Sequence, residues 1–280
     1  MRAGTAYGRL TPAFHPAPFF ETISVGPAAA AAASGAQNKP SREGCLPMNI
    51  SRSARAVVLP LVVAAGAAHA APLTPEQTVD LYIGAFVNGD VSKAREFNDA
   101  VRASYGGKDA LNVDVLSKMG DSMRKEMAED LLVPMPAKAS AALRPSVESM
   151  AAAYQRAINR SECKATGSSQ RPNSAIEGKT IATVEFACRV PDVGPGAKAL
   201  EAKLGNGRLK NGAARIVAFN AIFSGMAKVL DAAPVTYPVT GKIDIYSLGG
   251  GWTTGSPQDV LTPVLDALSE AMPHGSSSDK

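Results

Sequence analysis

The chain has 280 residues, of which 45 % are apolar and 5 % aromatic, with 29 basic and 25 acidic side chains. Six of the cations and two of the anions precede Ala71, so the sequence from Ala71 onward carries no formal net charge. A neutral chain with few aromatics lacks the cation surplus that phosphate neutralisation demands, and nucleic acid is excluded as an expected partner.

Residues 1–47 are rich in Ala, Gly, Pro and Ser, include an unbroken alanine run at 28–33, and show no sustained apolar period. Nothing there offsets the entropy of ordering a chain, so a disordered leader is expected. From Met48 the character changes. Arg52 and Arg55 precede an apolar run over 56–68, and Ala68-His69-Ala70 follows as a small-x-small site. That order is the signature of a secretory signal at 48–70, cleaved before Ala71. The run is shorter than the roughly 20 residues a bilayer span needs, and Pro60 interrupts it. A signal belongs at an N-terminus, so translation is expected to begin at Met48. Peptides from residues 1–47 in natural material would contradict that start. The expected product is a periplasmic or secreted single domain over 71–273, with a disordered tail at 274–280.

Thr74-Pro75-Glu76-Gln77 reads as a capping box with proline at the first helical position. Val79, Tyr82, Ile83, Phe86 and Val87 then share one face. Asn88-Gly89 stops this helix and Asp90 caps a second, with Val91, Ala94, Phe97 and Val101 as its apolar positions. So short a connection favours a helical hairpin over residues 75–103. After Tyr105-Gly106-Gly107 a third helix is expected over 113–132, striped by Leu116, Met119, Met123 and Met127. Such methionines serve as adaptable core filler or as a contact surface. A fourth helix is expected over 146–159, beginning just after Pro145.

Beyond Cys163 the period becomes two. Val184, Phe186, Cys188 and Val190 alternate with Thr183, Glu185, Ala187 and Arg189, a half-buried strand. Cys163 and Cys188 are the two cysteines left after the leader, and they flank the turn-rich stretch 167–174. Two strands meeting at that loop would set them opposite each other, and an even pair in an exported chain reads as a disulfide. Lys198, Lys203, Arg208, Lys210 and Arg215, with Glu201 alone among them, read as a solvated loop face or as an anion or acidic-lipid site. Residues 213–231 read as a helix apolar on most sides and therefore central to the core, with a strand over 215–223 as the alternative. Extended segments are expected at 235–239 and 242–248, on either side of Thr240-Gly241. Gly249-Gly250-Gly251 matches no phosphate-binding pattern and reads as a turn delivering Trp252 to the core. Ser256-Pro257 opens a final helix bearing Val260, Leu261, Val264, Leu265, Leu268 and Met272.

The fold class that emerges is α+β: N-terminal helices packed on a small, mainly antiparallel sheet, with one disulfide. Tyr82, Phe86, Gly89, Asp90, Ala94 and Gly251-Trp252 together resemble the opening and closing segments of nuclear transport factor 2-like proteins. The resemblance covers about a sixth of the chain after Ala71. It implies a curved sheet wrapped by helices around a pocket, in a superfamily of ligand binders, isomerases and exported proteins without known activity. This chain departs from the pattern with two extra helices before the first strand and a long apolar helix between strands, so no catalytic residue is carried over.

Function is bounded mostly by what is missing. His15 and His69 leave with the leader and His274 lies in the tail, so no imidazole remains for a Ser-His-Asp or Cys-His mechanism or for a histidine-based zinc site. Neither a metal nor any other cofactor is expected. The first reading is an exported binding or accessory protein, with Ile216, Phe219, Phe223 and Trp252 as candidate contacts for a small apolar molecule. The alternatives are a carboxylate-based enzyme of isomerase or hydrolase type, built on the strand face that carries Lys242, Asp244 and Tyr246, and an envelope protein-interaction module using the 113–132 helix. Stable membrane insertion after cleavage is not expected.

Overall fold

A computed structural model describes residues 72–204 and 212–270. The expected leader, signal segment and tail, together with Arg208 and Lys210, lie outside the described residues.

Helix α1 (Pro75–Phe86) opens as its sequence dictates. The Gln77 amide donates to Thr74 Oγ1 at 3.2 Å, and the Thr74 amide donates to Gln77 Oε1 at 3.0 Å. Gly89 takes the left-handed conformation at φ 65° and lets the chain reverse within three residues. Asp90 then accepts from the amides of Ser92 and Lys93 and starts α2 (Val91–Val101). Tyr82, Phe86 and Phe97 meet at the seam, with ring centroids 4.5 and 5.8 Å from Tyr82. Asn98 is buried beneath this pair. Its amide and carbonyl bond the Leu111 carbonyl and amide at 2.8 and 2.7 Å, anchoring the connection to α3 (Val113–Leu132) and satisfying a buried polar side chain.

Helix α4 (Ala137–Asn159) returns antiparallel to α3, and Arg144 bridges to Glu129 at 2.6 Å. It begins nine residues earlier than expected and runs through Pro145. Alanines favour the helix on the N-terminal side. Pro145 and Ala141, whose carbonyl loses its partner, both lie on the exposed face and not against the core. The methionine stripe of α3 packs on the core, with Met119 and Met127 buried and Met123 partly so.

Four strands follow in the antiparallel order β1-β2-β3-β4: β1 (Glu162–Pro172), β2 (Thr180–Pro191), β3 (Val235–Leu248) and β4 (Gly251–Thr254). Cys163 pairs directly across from Cys188, and the two form the disulfide. The stretch 167–174 is strand to Pro172, and the turn falls at 173–179, closed by the Asn173 amide on the Lys179 carbonyl. This is a correction with a plain cause. β1 is an edge strand with one solvated side, and its Ser, Thr, Gln and Arg residues resemble a loop in composition. A bulge between Ala165 and Gly167 frees the Ala165 amide, which donates to Asp80 of α1 at 2.7 Å.

Strand β3 is likewise continuous where two segments were expected. Gly241 sits opposite Phe186, and a Cβ there would lie 2.3 Å from the Phe186 ring. The glycine makes room for a buried aromatic instead of turning the chain. The true reversal is Gly249-Gly250, both at positive φ, leading into β4. Helix α7 (Gln258–Glu270) lays Val260, Leu261, Val264 and Leu268 on the core. Among the described residues the fold is therefore seven α-helices with a four-stranded antiparallel sheet and one disulfide, an α+β protein.

Candidate functional site

Between β2 and β3 the chain leaves the sheet and forms two helices. Pro191 ends the ladder, the Asp192 amide bonds the Pro234 carbonyl at 2.8 Å, and α5 (Gly194–Leu204) follows at once. Sequence reading missed α5 because Gly194-Pro195-Gly196 resembles a break. Pro195 in fact occupies the first turn, where a missing amide costs nothing, and Leu200 and Leu204 at i and i+4 were the legible signal.

Helix α6 (Gly212–Ala232) returns antiparallel to α5 through two reciprocal contacts of small on large. A Cβ on Gly196 would lie 2.7 Å from Val229, and one on Gly225 would lie 2.5 Å from Leu200. On its other side α6 runs parallel to α4. Ser146 Oγ donates to Asn220 Oδ1 at 2.7 Å, and Arg156 grips the Asp231 carboxylate with two bonds at 2.9 and 2.8 Å. Arg160 donates to the Leu230 and Asp231 carbonyls at 2.6 and 3.0 Å, capping the helix end with positive charge.

Those anchors hold the C-terminal half of α6, where Phe223, Met226, Ala227 and Leu230 are buried. The N-terminal half is different. Val217 is 69 % exposed and Phe219 36 % exposed, with Ile216 and Ile222 half-buried. The helical reading of this segment holds and the strand alternative fails. The expected place at the centre of the core is corrected, because α6 has one flank on α4, one on α5, and a third facing water.

Of the four residues singled out for ligand contact, Ile216, Phe219 and Phe223 fall together along α6, and the rings of Phe219 and Phe223 stack at 6.2 Å with 20° between planes. Trp252 lies on β4 opposite Ser247 of β3 and is half-buried, while its neighbour Thr253 shares a hydrogen bond with Tyr105. The structure does not gather it with the other three.

The polar face of the sheet is held by cross-strand pairs. Asp244 accepts from Thr183 at 2.5 Å and from Arg171 at 3.0 Å, and Lys242 bridges to Glu185 at 2.7 Å. Tyr246 and Asp259 close around Gly255 beside them. The Asp259 carboxyl is pushed above the ordinary aspartate range, first by the protein packed beside it and then by the charge of Asp244. Among the described residues no group of three or more His, Cys, Asp or Glu is placed to hold a metal ion.

No protein-family model matches the chain, and neither curated proteins nor solved structures give a match.

Proposed function

We propose that this is an exported binding or accessory protein that offers the apolar flank of α6, bordered by α5, to an apolar ligand. The observation that carries the reading is the exposure of Phe219, with Ile216 and Ile222 half-buried on the same side, on a helix whose composition would suit a core. Large apolar side chains contiguous on a surface mark places of contact. The Cys163–Cys188 disulfide is consistent with an oxidising compartment, and export to the periplasm or medium is the finer reading. The test is native mass spectrometry of protein recovered from that compartment without detergent, together with titration by a fluorescent fatty acid. A retained apolar molecule, or saturable probe binding lost in Phe219→Asn, is the expected result. Absence of both, with the probe indifferent to Phe219→Asn, would reject the reading.

A second reading, a carboxylate enzyme, draws on Asp259 beside Asp244. A carboxyl pushed upward by burial and by a neighbouring aspartate is one half of the pairing that acid–base work uses. Carbon-detected NMR in which Asp259 titrates as a free aspartate would remove its support.

A further inference from the structure

Asn88 lies just past the end of α1 and is followed by Gly89, the left-handed residue of the α1–α2 turn. Its side chain reaches a second corner of the fold. Asn88 Nδ2 donates to the Asn159 carbonyl at 3.0 Å and to the Ser161 carbonyl at 2.7 Å. Asn159 is the last residue of α4, and its carbonyl is one of those that a helix end leaves without an intrahelical partner. Ser161 stands immediately before β1, two residues from the Cys163–Cys188 disulfide. Between them Arg160 holds the end of α6 through the Leu230 and Asp231 carbonyls. One primary amide thus fastens the α1–α2 hairpin to the corner where α4, α6 and β1 meet.

The same amide is open to chemical change. Glycine carries no Cβ to shield its nitrogen, so in an Asn-Gly pair the backbone nitrogen can close on the asparagine Cγ. The Gly89 nitrogen bonds Cγ as its proton passes to solvent, the Cγ–Nδ2 bond breaks and ammonia leaves. Water then opens the succinimide to aspartate or isoaspartate. The net change is amide plus water to carboxylate plus ammonium, and it draws on no oxidant or cofactor. Gly89 is exposed, so water has access. The two carbonyls oppose the reaction. While both bonds hold, the Asn88 side chain is fixed on Asn159 and Ser161 and is not free to turn back on its own backbone.

We propose that Asn88 is a deamidation site controlled by docking of the α1–α2 hairpin: intact while this corner is closed, converted when it opens, and resistant to closing again once converted. The product accounts for the last step. A carboxylate has no hydrogen to donate and would set its oxygens against two carbonyl oxygens, at the end of α4 where the helix dipole is negative. The cations of that corner are already engaged, Arg156 with the Asp231 carboxylate and Arg160 with the carbonyls of α6. The inference is independent of the binding reading above.

The experiment incubates the full chain in mildly alkaline buffer, folded and in urea, and follows residue 88 by peptide mapping with isoaspartate detection. Mapping separates it from Asn206-Gly207 and Asn211-Gly212, the other Asn-Gly pairs of the sequence. Conversion about thirtyfold slower in the folded protein is expected, from two hydrogen bonds that must open first. Equal rates in the two samples would overturn the inference, as would an Asn88 that stays intact in urea. Asn88→Asp should lower the thermal midpoint by about 6 °C, and Asn88→Ala, which loses the donor without adding charge, by about half as much. A loss in Asn88→Asp no greater than in Asn88→Ala would overturn the resistance to closing. The rate comparison uses the natural chain and decides the site whether or not Asn88→Asp folds.

Discussion

In α1 the side chains of Val79, Tyr82, Ile83 and Phe86 are all buried, while in α6 Ile216, Val217, Phe219, Ile222 and Val229 keep contact with water. The two helices differ less in apolar content than in its arrangement. Helix α1 alternates its apolar side with Glu76, Asp80 and Gly84, so one orientation satisfies both faces. Helix α6 is apolar nearly all round, and α4 and α5 cover only part of its circumference. An amphipathic pattern says which face is inside; a uniformly apolar one leaves the uncovered flank to be found in three dimensions.

The contrast can be broken first at the phenylalanines. Phe86→Ala removes a ring from a filled site and should cost about 3–5 kcal/mol in urea unfolding, whereas Phe219→Ala should cost less than about 1 kcal/mol. Comparable losses would mean that the α6 flank is core. Next comes the staple on the sheet. Replacing Cys163 and Cys188 by alanine opens a loop with a sequence separation of 25 and should cost about 3 kcal/mol by chain entropy. That loss belongs to the sheet, and probe binding at α6 should survive it.

Two glycines sharpen the comparison further. Gly241→Ala drives a methyl into the buried Phe186 ring and should destabilise by about 1–3 kcal/mol. Gly225→Ala meets only the tip of the half-exposed Leu200, which can swing aside, so a smaller loss is expected. The smallest effect is at the α2 cap, where Asp90→Ala should cost about 1 kcal/mol. The Asp90 carboxyl is held below the ordinary value of 3.8, chiefly by the Ser92 hydroxyl and also by the Ser92 and Lys93 amides. A lowered folded pKa means that its stabilisation is present above pH 3.8 and is lost as pH falls through the folded value. Asp90→Ala should therefore flatten the acid limb of a stability-against-pH curve and leave the neutral region with a constant offset.

Much of the frame was legible because local chemistry and tertiary structure agree. Thr74, Gln77, Gly89 and Asp90 each do in the structure what their residue types favour locally, and the alternation through Val184, Phe186, Cys188 and Val190 needed only one buried face. The misreadings share another cause. β1 is polar because it is an edge, Gly241 is small because Phe186 is large, and α4 tolerates Pro145 because that side is wet; each depends on a neighbour distant in sequence. For the site, Ile216, Phe219 and Phe223 were found from their helical spacing. Leu204 was not, since only the antiparallel course of α5 against α6 brings it beside them, and Trp252 was grouped with them by residue type alone.

Hydrogen–deuterium exchange of the full chain with and without a saturating fluorescent fatty acid tests the role given to α6 most directly. Slowed exchange at 198–204 and 212–222, with 79–101 and 181–190 unchanged, is the predicted result. No change across 212–222, or protection falling instead on α1 and α2, would contradict it.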